Sequence, residues 1–100
     1  MDPAPQRLRL DKWLWHARFF KTRSIAARYV STARLRLDGR VVEKASTTVA
    51  PGATLTFALG DRIRVIRVRE LGTRRGPAAE ARGLYDDLSP TPHADNGARP

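Results

Sequence analysis

The sequence predicts an α+β domain, with two N-terminal helices packed on a small, largely antiparallel β-sheet and a C-terminal helix after it. Three observations predict this. Apolar residues recur at helical spacing through residues 10–33, then alternate at period two through residues 34–69. The dipeptide Asp38-Gly39 lies in the alternating stretch, and Asp-Gly between alternating apolar positions signals a tight hairpin. The chain of 100 residues is the length of one domain with a modest core.

The first helix is expected over residues 10–20. Leu10, Trp13, Leu14, Ala17 and Phe20 share one stripe, and Asp11 in the first turn complements the helix dipole. Lys12, Trp15, Arg18 and Phe19 lie off the stripe, as does His16, which is expected to be partly buried or at the surface. "KTRS" at residues 21–24 breaks the pattern, and Thr22 or Ser24 can cap a second helix. Over residues 23–33, Ile25, Ala26, Tyr29, Val30 and Ala33 make its apolar face. Leu35 and Leu37 then alternate with Arg34 and Arg36 into the Asp38-Gly39 turn, and "APGA" at residues 50–53 makes a second turn.

Residues 54–71 read as another hairpin, with Leu55, Phe57 and Leu59 facing inward and Gly60-Asp61 turning the chain. On the return strand Ile63 and Val65 are expected to face inward. Val68 should too, so the alternation slips at Val65-Ile66 and predicts a bulge there. Pro77 after Gly76 opens a last helix whose stripe is Ala78, Ala81, Leu84, Tyr85 and Leu88. Residues 1–6 read as a disordered arm and residues 89–100 as a disordered tail, leaving residues 7–88 as the ordered domain.

The net charge of +9 is extreme for this size and attracts polyanions, with nucleic acid the default partner and an anionic membrane surface the alternative. The excess is uneven. Residues 7–44 carry eleven basic and three acidic groups, whereas residues 73–88 and 89–100 are each neutral. A surface tuned only for solubility interleaves its signs, so this clustering favours a binding footprint. Arg9, Lys12, Lys21, Arg23 and Arg28 gather where the first helix starts and the second begins, and Lys44 joins them after the first hairpin. The free N–H groups of a helix start suit a phosphate. The plainer reading, scattered solvated cations, explains the regional excess less well.

Other chemistry is poorly supported. The absence of cysteine excludes disulfides and thiolate metal sites, and His16 and His93 alone make no zinc site. There is no Gly-rich phosphate loop, no Ser/His/Asp spacing and no metal cluster, so neither an enzyme nor a cofactor is expected. Asp11 is expected to act in a salt bridge or the first helical turn, and Asp86-Asp87 to form a solvated polar face at a helix end. No apolar run is long enough to span a bilayer and no secretory signal is visible, which points to the cytoplasm. Trp13 and Phe20 are expected in the core. Trp15 and Phe19, four residues apart, are either covered by the C-terminal helix through Leu84 and Tyr85, the favoured fate, or offer a stacking platform for a base.

Arg9-Leu10-Asp11, Thr22-Arg23 and Leu35-Arg36-Leu37-Asp38-Gly39 resemble the successive motifs of the RNA-binding domain named after ribosomal small-subunit protein four. "LDKWLWHARFFKTRS" and "LGTRRGPAAEARGLYDDL" extend the resemblance to the ribosome-associated heat-shock protein fifteen family, over roughly residues 7–90. Ala33 departs from the family's usual Gly, Asp38 from its Asn, and Ala53 from an acidic residue. The resemblance implies an αL-type RNA-binding surface made by the two helices and the adjoining hairpin. It also implies binding to the large ribosomal subunit, notably one still holding a nascent chain on transfer RNA. It adds Thr22 to the basic groups, so the expected RNA-binding set is Arg9, Lys12, Arg18, Lys21, Thr22, Arg23, Arg28 and Lys44. The free protein is expected to be a monomer. Two rivals remain: an RNA-binding accessory to an RNA-modifying enzyme, and a DNA-binding helix-turn-helix protein, for which Ile25, Ala27 and Ser31 offer poor base readers.

Overall fold

The computed structural model describes residues 6–90. Residues 1–5 of the expected arm and residues 91–100 of the expected tail, with His93, lie outside the described residues. The fold is α+β. In chain order the elements are β1 (Leu8–Arg9), α1 (Leu10–His16), α2 (Arg23–Thr32), β2 (Arg36–Leu37), β3 (Arg40–Val41), β4 (Thr48–Val49), β5 (Thr54–Leu59), β6 (Arg62–Val68), α3 (Ala78–Arg82) and β7 (Tyr85–Asp87). A five-stranded antiparallel sheet has the order β3-β2-β5-β6-β7, and β1 pairs separately with β4.

α1 stops earlier than its apolar stripe implies. Arg18 takes a left-handed φ of 67°, and the Phe19 N–H reaches back to the Leu14 carbonyl at 3.1 Å while the Arg18 N–H bonds the Trp15 carbonyl. This is a Schellman closure with arginine where glycine is usual. The Arg18 Nε donates to the Gly76 carbonyl at 2.7 Å, a tertiary bond that holds the arginine in that conformation. Phe20 still enters the core, but from the irregular segment after the helix. Trp15 and Phe19 therefore part company. Phe19 packs edge-on to Tyr85 and Phe57, with centroids 4.8 and 5.5 Å away, whereas Trp15 stays half-buried under the Arg75 guanidinium. The ring covering Phe19 comes from a strand, not from the expected helix.

α1 also anchors the segment after β6. Trp13, fully buried, donates its indole N–H to the Glu70 carbonyl at 2.9 Å. His16, expected partly buried or at the surface, is 1% exposed, because one turn along the same face its Nδ1 meets the Leu71 carbonyl at 3.1 Å. A carbonyl only accepts, so Nδ1 carries the proton.

α2 begins as expected. Thr22 is extended and its hydroxyl accepts the Ile25 N–H at 3.1 Å. Removing the cap by Thr22→Ala is expected to cost about 1 kcal/mol, measured by urea unfolding. Ala26 and Val30 are buried, but Ile25, placed on the apolar face by its spacing, is 48% exposed. Ala33 closes the helix at a negative φ and the left-handed residue is Arg34, so the missing family glycine is not needed at that position.

The Asp38-Gly39 turn has positive φ at both residues, 51° and 87°, as a type I′ hairpin requires. Asp38 does more than turn the chain. Its backbone N–H bonds the Thr54 carbonyl, and its carboxylate accepts the Thr54 N–H at 2.9 Å, locking the hairpin to β5.

The β5–β6 ladder is unbroken from Thr54↔Arg67 to Leu59↔Arg62, with no bulge. Leu55 therefore faces Ile66, and Phe57 faces Arg64. Ile66 and Val68 fill the core, Val68 as expected, while Ile63, expected inward, is 54% exposed. Arg64 takes the inward register at the sheet's margin. Its guanidinium lies 5.3 Å from the Phe19 centroid and pairs with Asp87 at 2.9 Å.

The expected long C-terminal helix is only five residues. After Gly83 the chain turns and β7 adds to β6, with Tyr85 opposite Val68 and Asp87 opposite Ile66. Pairing with the free edge of β6 satisfies backbone groups that a helix end would leave open. Asp86 and Asp87 are thus strand residues paired with Arg69 and Arg64, not a helix-end face. Leu88, expected in the helix stripe, is 48% exposed. Ser89 accepts the Val65 N–H.

Burial pushes the Asp87 carboxyl up, but bonds from the Ser89 hydroxyl and N–H and from Arg64 outweigh it and hold it below its ordinary range. A depressed folded value means the contribution is present at neutral pH and is lost as acidification passes the folded value. The stability gap between the natural chain and Asp87→Asn is expected to hold from neutral pH to about pH 5 and to close below about pH 4, measured by urea unfolding.

Candidate nucleic-acid interface

The basic surface is organised around one carboxylate. Asp11, in the first turn of α1, is 2% exposed. Arg9, two residues before it, donates from Nε at 3.2 Å and from Nη2 at 3.0 Å, a two-pronged grip on both carboxylate oxygens. Arg23, the first residue of α2, places its Nε 3.6 Å from the same carboxylate. One buried anion thus ties the entrance of α1 to the start of α2. The two arginine side chains remain 49% and 41% exposed, so their outer edges are held facing solvent.

Backbone bonds bring a third segment to this place. The Leu10 N–H bonds the Thr47 carbonyl at 2.7 Å, the Asp11 N–H bonds that of Ala45, and the Thr47 N–H bonds that of Lys44. Lys44, exposed, is therefore carried to the end of α1 that holds Arg9 and half-buried Lys12. Lys21 and Thr22 are exposed in the joint between the helices. Thr22 spends its hydroxyl as an acceptor in the α2 cap, which leaves its O–H proton as the donor for a ligand.

Two members of the sequence-derived set stand apart. Arg28 is exposed on α2, but five residues beyond Arg23 it points about 140° around the axis. Arg18 is exposed at the other end of α1, fixed to Gly76. Arg75 lies outside the sequence-derived set; its guanidinium lies 5.9 Å from the Trp15 ring centre and its Nη2 donates to the Phe20 carbonyl.

Arg9 and Arg23 thus meet at Asp11, and Lys12, Lys21, Thr22 and Lys44 neighbour that pair along the chain or through backbone bonds; this is the basic ridge at the start of α1. A buried carboxylate that orients two guanidiniums lowers the entropy each loses on meeting a phosphate, and each guanidinium keeps a donor edge for it. Among the described residues no group of His, Cys, Asp or Glu side chains is placed to hold a metal ion, and no helix is long and apolar enough to cross a membrane.

Residues 8–55, which contain this whole ridge, match the S4 domain family. The chain is 40% identical over 82 residues to heat shock protein 15 of Escherichia coli (strain K12), covering 82% of this chain. It spans 61% of the length of that relative. It is 36% identical over 64 residues to the RQC P-site tRNA stabilizing factor of Bacillus subtilis (strain 168), covering 64% of this chain and 73% of that one. Among solved structures, the trimeric heat shock protein 15 of Vibrio cholerae superposes with a TM-score of 0.76 at 38% identity, covering 82% of each chain.

Proposed function

We propose, on the premise that this chain belongs to the S4-type RNA-binding family of heat shock protein 15, that it binds structured RNA through the ridge around Asp11. The observation that carries the reading is the pair of guanidiniums of Arg9 and Arg23 held outward by one buried carboxylate. Arginine and lysine neutralise phosphates and release counterions, and a fixed array of them reads the shape of a folded RNA backbone more than its bases. Arg9, Lys12, Lys21, Thr22, Arg23 and Lys44 form the primary contact, with Arg28 and Arg18 on its flanks. The protein acts by binding and not by catalysis.

The RNA is ribosomal RNA of the large subunit, in a subunit that still carries a nascent chain on transfer RNA. The Bacillus relative, whose name assigns it to P-site tRNA, and the Escherichia coli relative, named for heat shock, support this reading. The working place is the cytoplasm. Off the ribosome we take the protein as a monomer; the Vibrio relative is trimeric, and light scattering distinguishes one chain from three.

Arg23→Ala tests the surface. Affinity for large-subunit RNA is expected to fall about tenfold, and the slope of log K against log salt to shrink by about 0.9, one phosphate contact. Filter binding across a salt series reads both. An unchanged slope and affinity in a folded variant places the RNA elsewhere. Competition with duplex DNA separates this reading from a DNA-binding one.

A further inference from the structure

At the opposite end of α1 from the Asp11 ridge, a second cationic cleft opens between the helix end, β5–β6 and α3. Its volume is about 270 Å³. Its floor is aromatic, made by the half-buried rings of Phe19 and Tyr85, and Leu59 closes one side. Arg18, Arg64 and Arg82 line it, and no carboxylate is among its lining residues. Two of the three arginines are fixed. Arg18 is bound to the Gly76 carbonyl, and Arg64 lies over Phe19 while paired with Asp87 outside the cleft. Arg82, exposed at the end of α3, enters no ion pair with the described residues.

We propose that this cleft takes one unstacked nucleotide of single-stranded RNA, with its base against Tyr85 and the Arg64 guanidinium that lies over Phe19, and its phosphate on Arg82 and Arg18. An aromatic floor beside guanidiniums is the chemistry that holds single-stranded nucleic acid: every base offers a π-face, and every nucleotide a phosphate. The volume of about 270 Å³ leaves room for one base, with sugar and phosphate reaching the open side. α1 is only seven residues long, so the cleft and the Asp11 ridge lie about 10 Å apart along its axis. A folded RNA on the ridge can therefore place a flanking unpaired nucleotide in the cleft. The proposal rests on the RNA-binding reading and adds a second, single-strand contact to it.

The test uses the full chain and a short oligouridylate carrying one thiolated uridine, photocrosslinked and mapped by mass spectrometry. Crosslinks are expected at Tyr85 or Arg64. Arg82→Ala, a change at an exposed side chain, is expected to weaken oligouridylate binding several-fold and to reduce its salt slope by about 0.7. It is expected to leave binding of duplex RNA unchanged. Crosslinks confined to residues 7–15 and 21–44, or an unaltered slope in Arg82→Ala, overturn the proposal. So does competition by inorganic phosphate as effective as that by uridine monophosphate, because the cleft is then an anion site without base recognition. Arg23→Ala in the duplex assay reports separately on the ridge, so failure of either surface is seen on its own.

Discussion

Trp13→Ala is expected to remove about 3–5 kcal/mol of stability, a large part of the roughly 5–15 kcal/mol that holds a domain of this kind together. Trp13 is fully buried, and it is both a packing centre and a clasp. Its ring meets Tyr85 edge-on at 6.5 Å and lies 6.2 Å from Phe19, so it joins α1 to the last strand. Its N–H holds the Glu70 carbonyl. Alanine leaves a cavity and an unpaired carbonyl together. Trp13→Phe keeps most of the ring and loses the bond, and its cost is expected to be nearer the roughly 1–3 kcal/mol of an unsatisfied buried group. Urea unfolding monitored by circular dichroism checks both. A loss below about 1 kcal/mol for Trp13→Ala contradicts the role of this residue.

Asp11→Asn separates two accounts of RNA binding. It makes a chain of net charge +9 one unit more positive. If bulk charge governs affinity, the variant binds RNA more tightly. The geometry gives the opposite expectation. Without the carboxylate, Arg9 loses its two-pronged partner and Arg23 its ion pair, and the two guanidiniums repel each other. Both must then be ordered by the RNA itself, and affinity is expected to fall about tenfold, or about 1.4 kcal/mol. The cost in stability is smaller, about 1 kcal/mol, because both arginines are nearly half exposed and their attraction is screened by water. Filter binding at one fixed salt concentration, beside urea unfolding, distinguishes the accounts.

Local chemistry made part of this molecule readable. A threonine cap followed by apolar spacing specified α2, and Asp-Gly specified its hairpin, since few residues tolerate two successive positive φ values. Features set by distant partners were not readable. "RIRVIRV" has apolar residues at 63, 65, 66 and 68, which fits two registers. The opposition of Ile66 to Leu55 chooses between them. Residues 84–88 fit a helical stripe as well as a strand, and the open edge of β6 decides for the strand. The end of α1 depends on Arg18 in a conformation made for glycine, held by Gly76 far along the chain. β1 and β4 are two residues each and exist only as partners.

The candidate interface was legible in the same uneven way. Composition and regional charge identified the cations, and the family motifs identified Thr22. Their grouping was not legible. Asp11 was legible as a salt-bridge partner or first-turn acid, but not as the buried link between arginines fourteen positions apart. Lys44 reaches the ridge through backbone bonds of its loop, which no periodicity encodes. Conversely, Arg18 and Arg28 have the right charge and stand away from the centre, because the helix ends at one and has turned away at the other.

On the proposed reading, large-subunit RNA sits on the ridge around Asp11. Ultraviolet crosslinking of the full chain to large ribosomal subunits, with the crosslinked peptides and RNA both sequenced, tests it most directly. Crosslinked peptides containing Arg9, Lys12 or Lys21–Arg23, joined to large-subunit RNA, are expected. Crosslinks only to the outer faces of β5 and β6, or none to large-subunit RNA, exclude it.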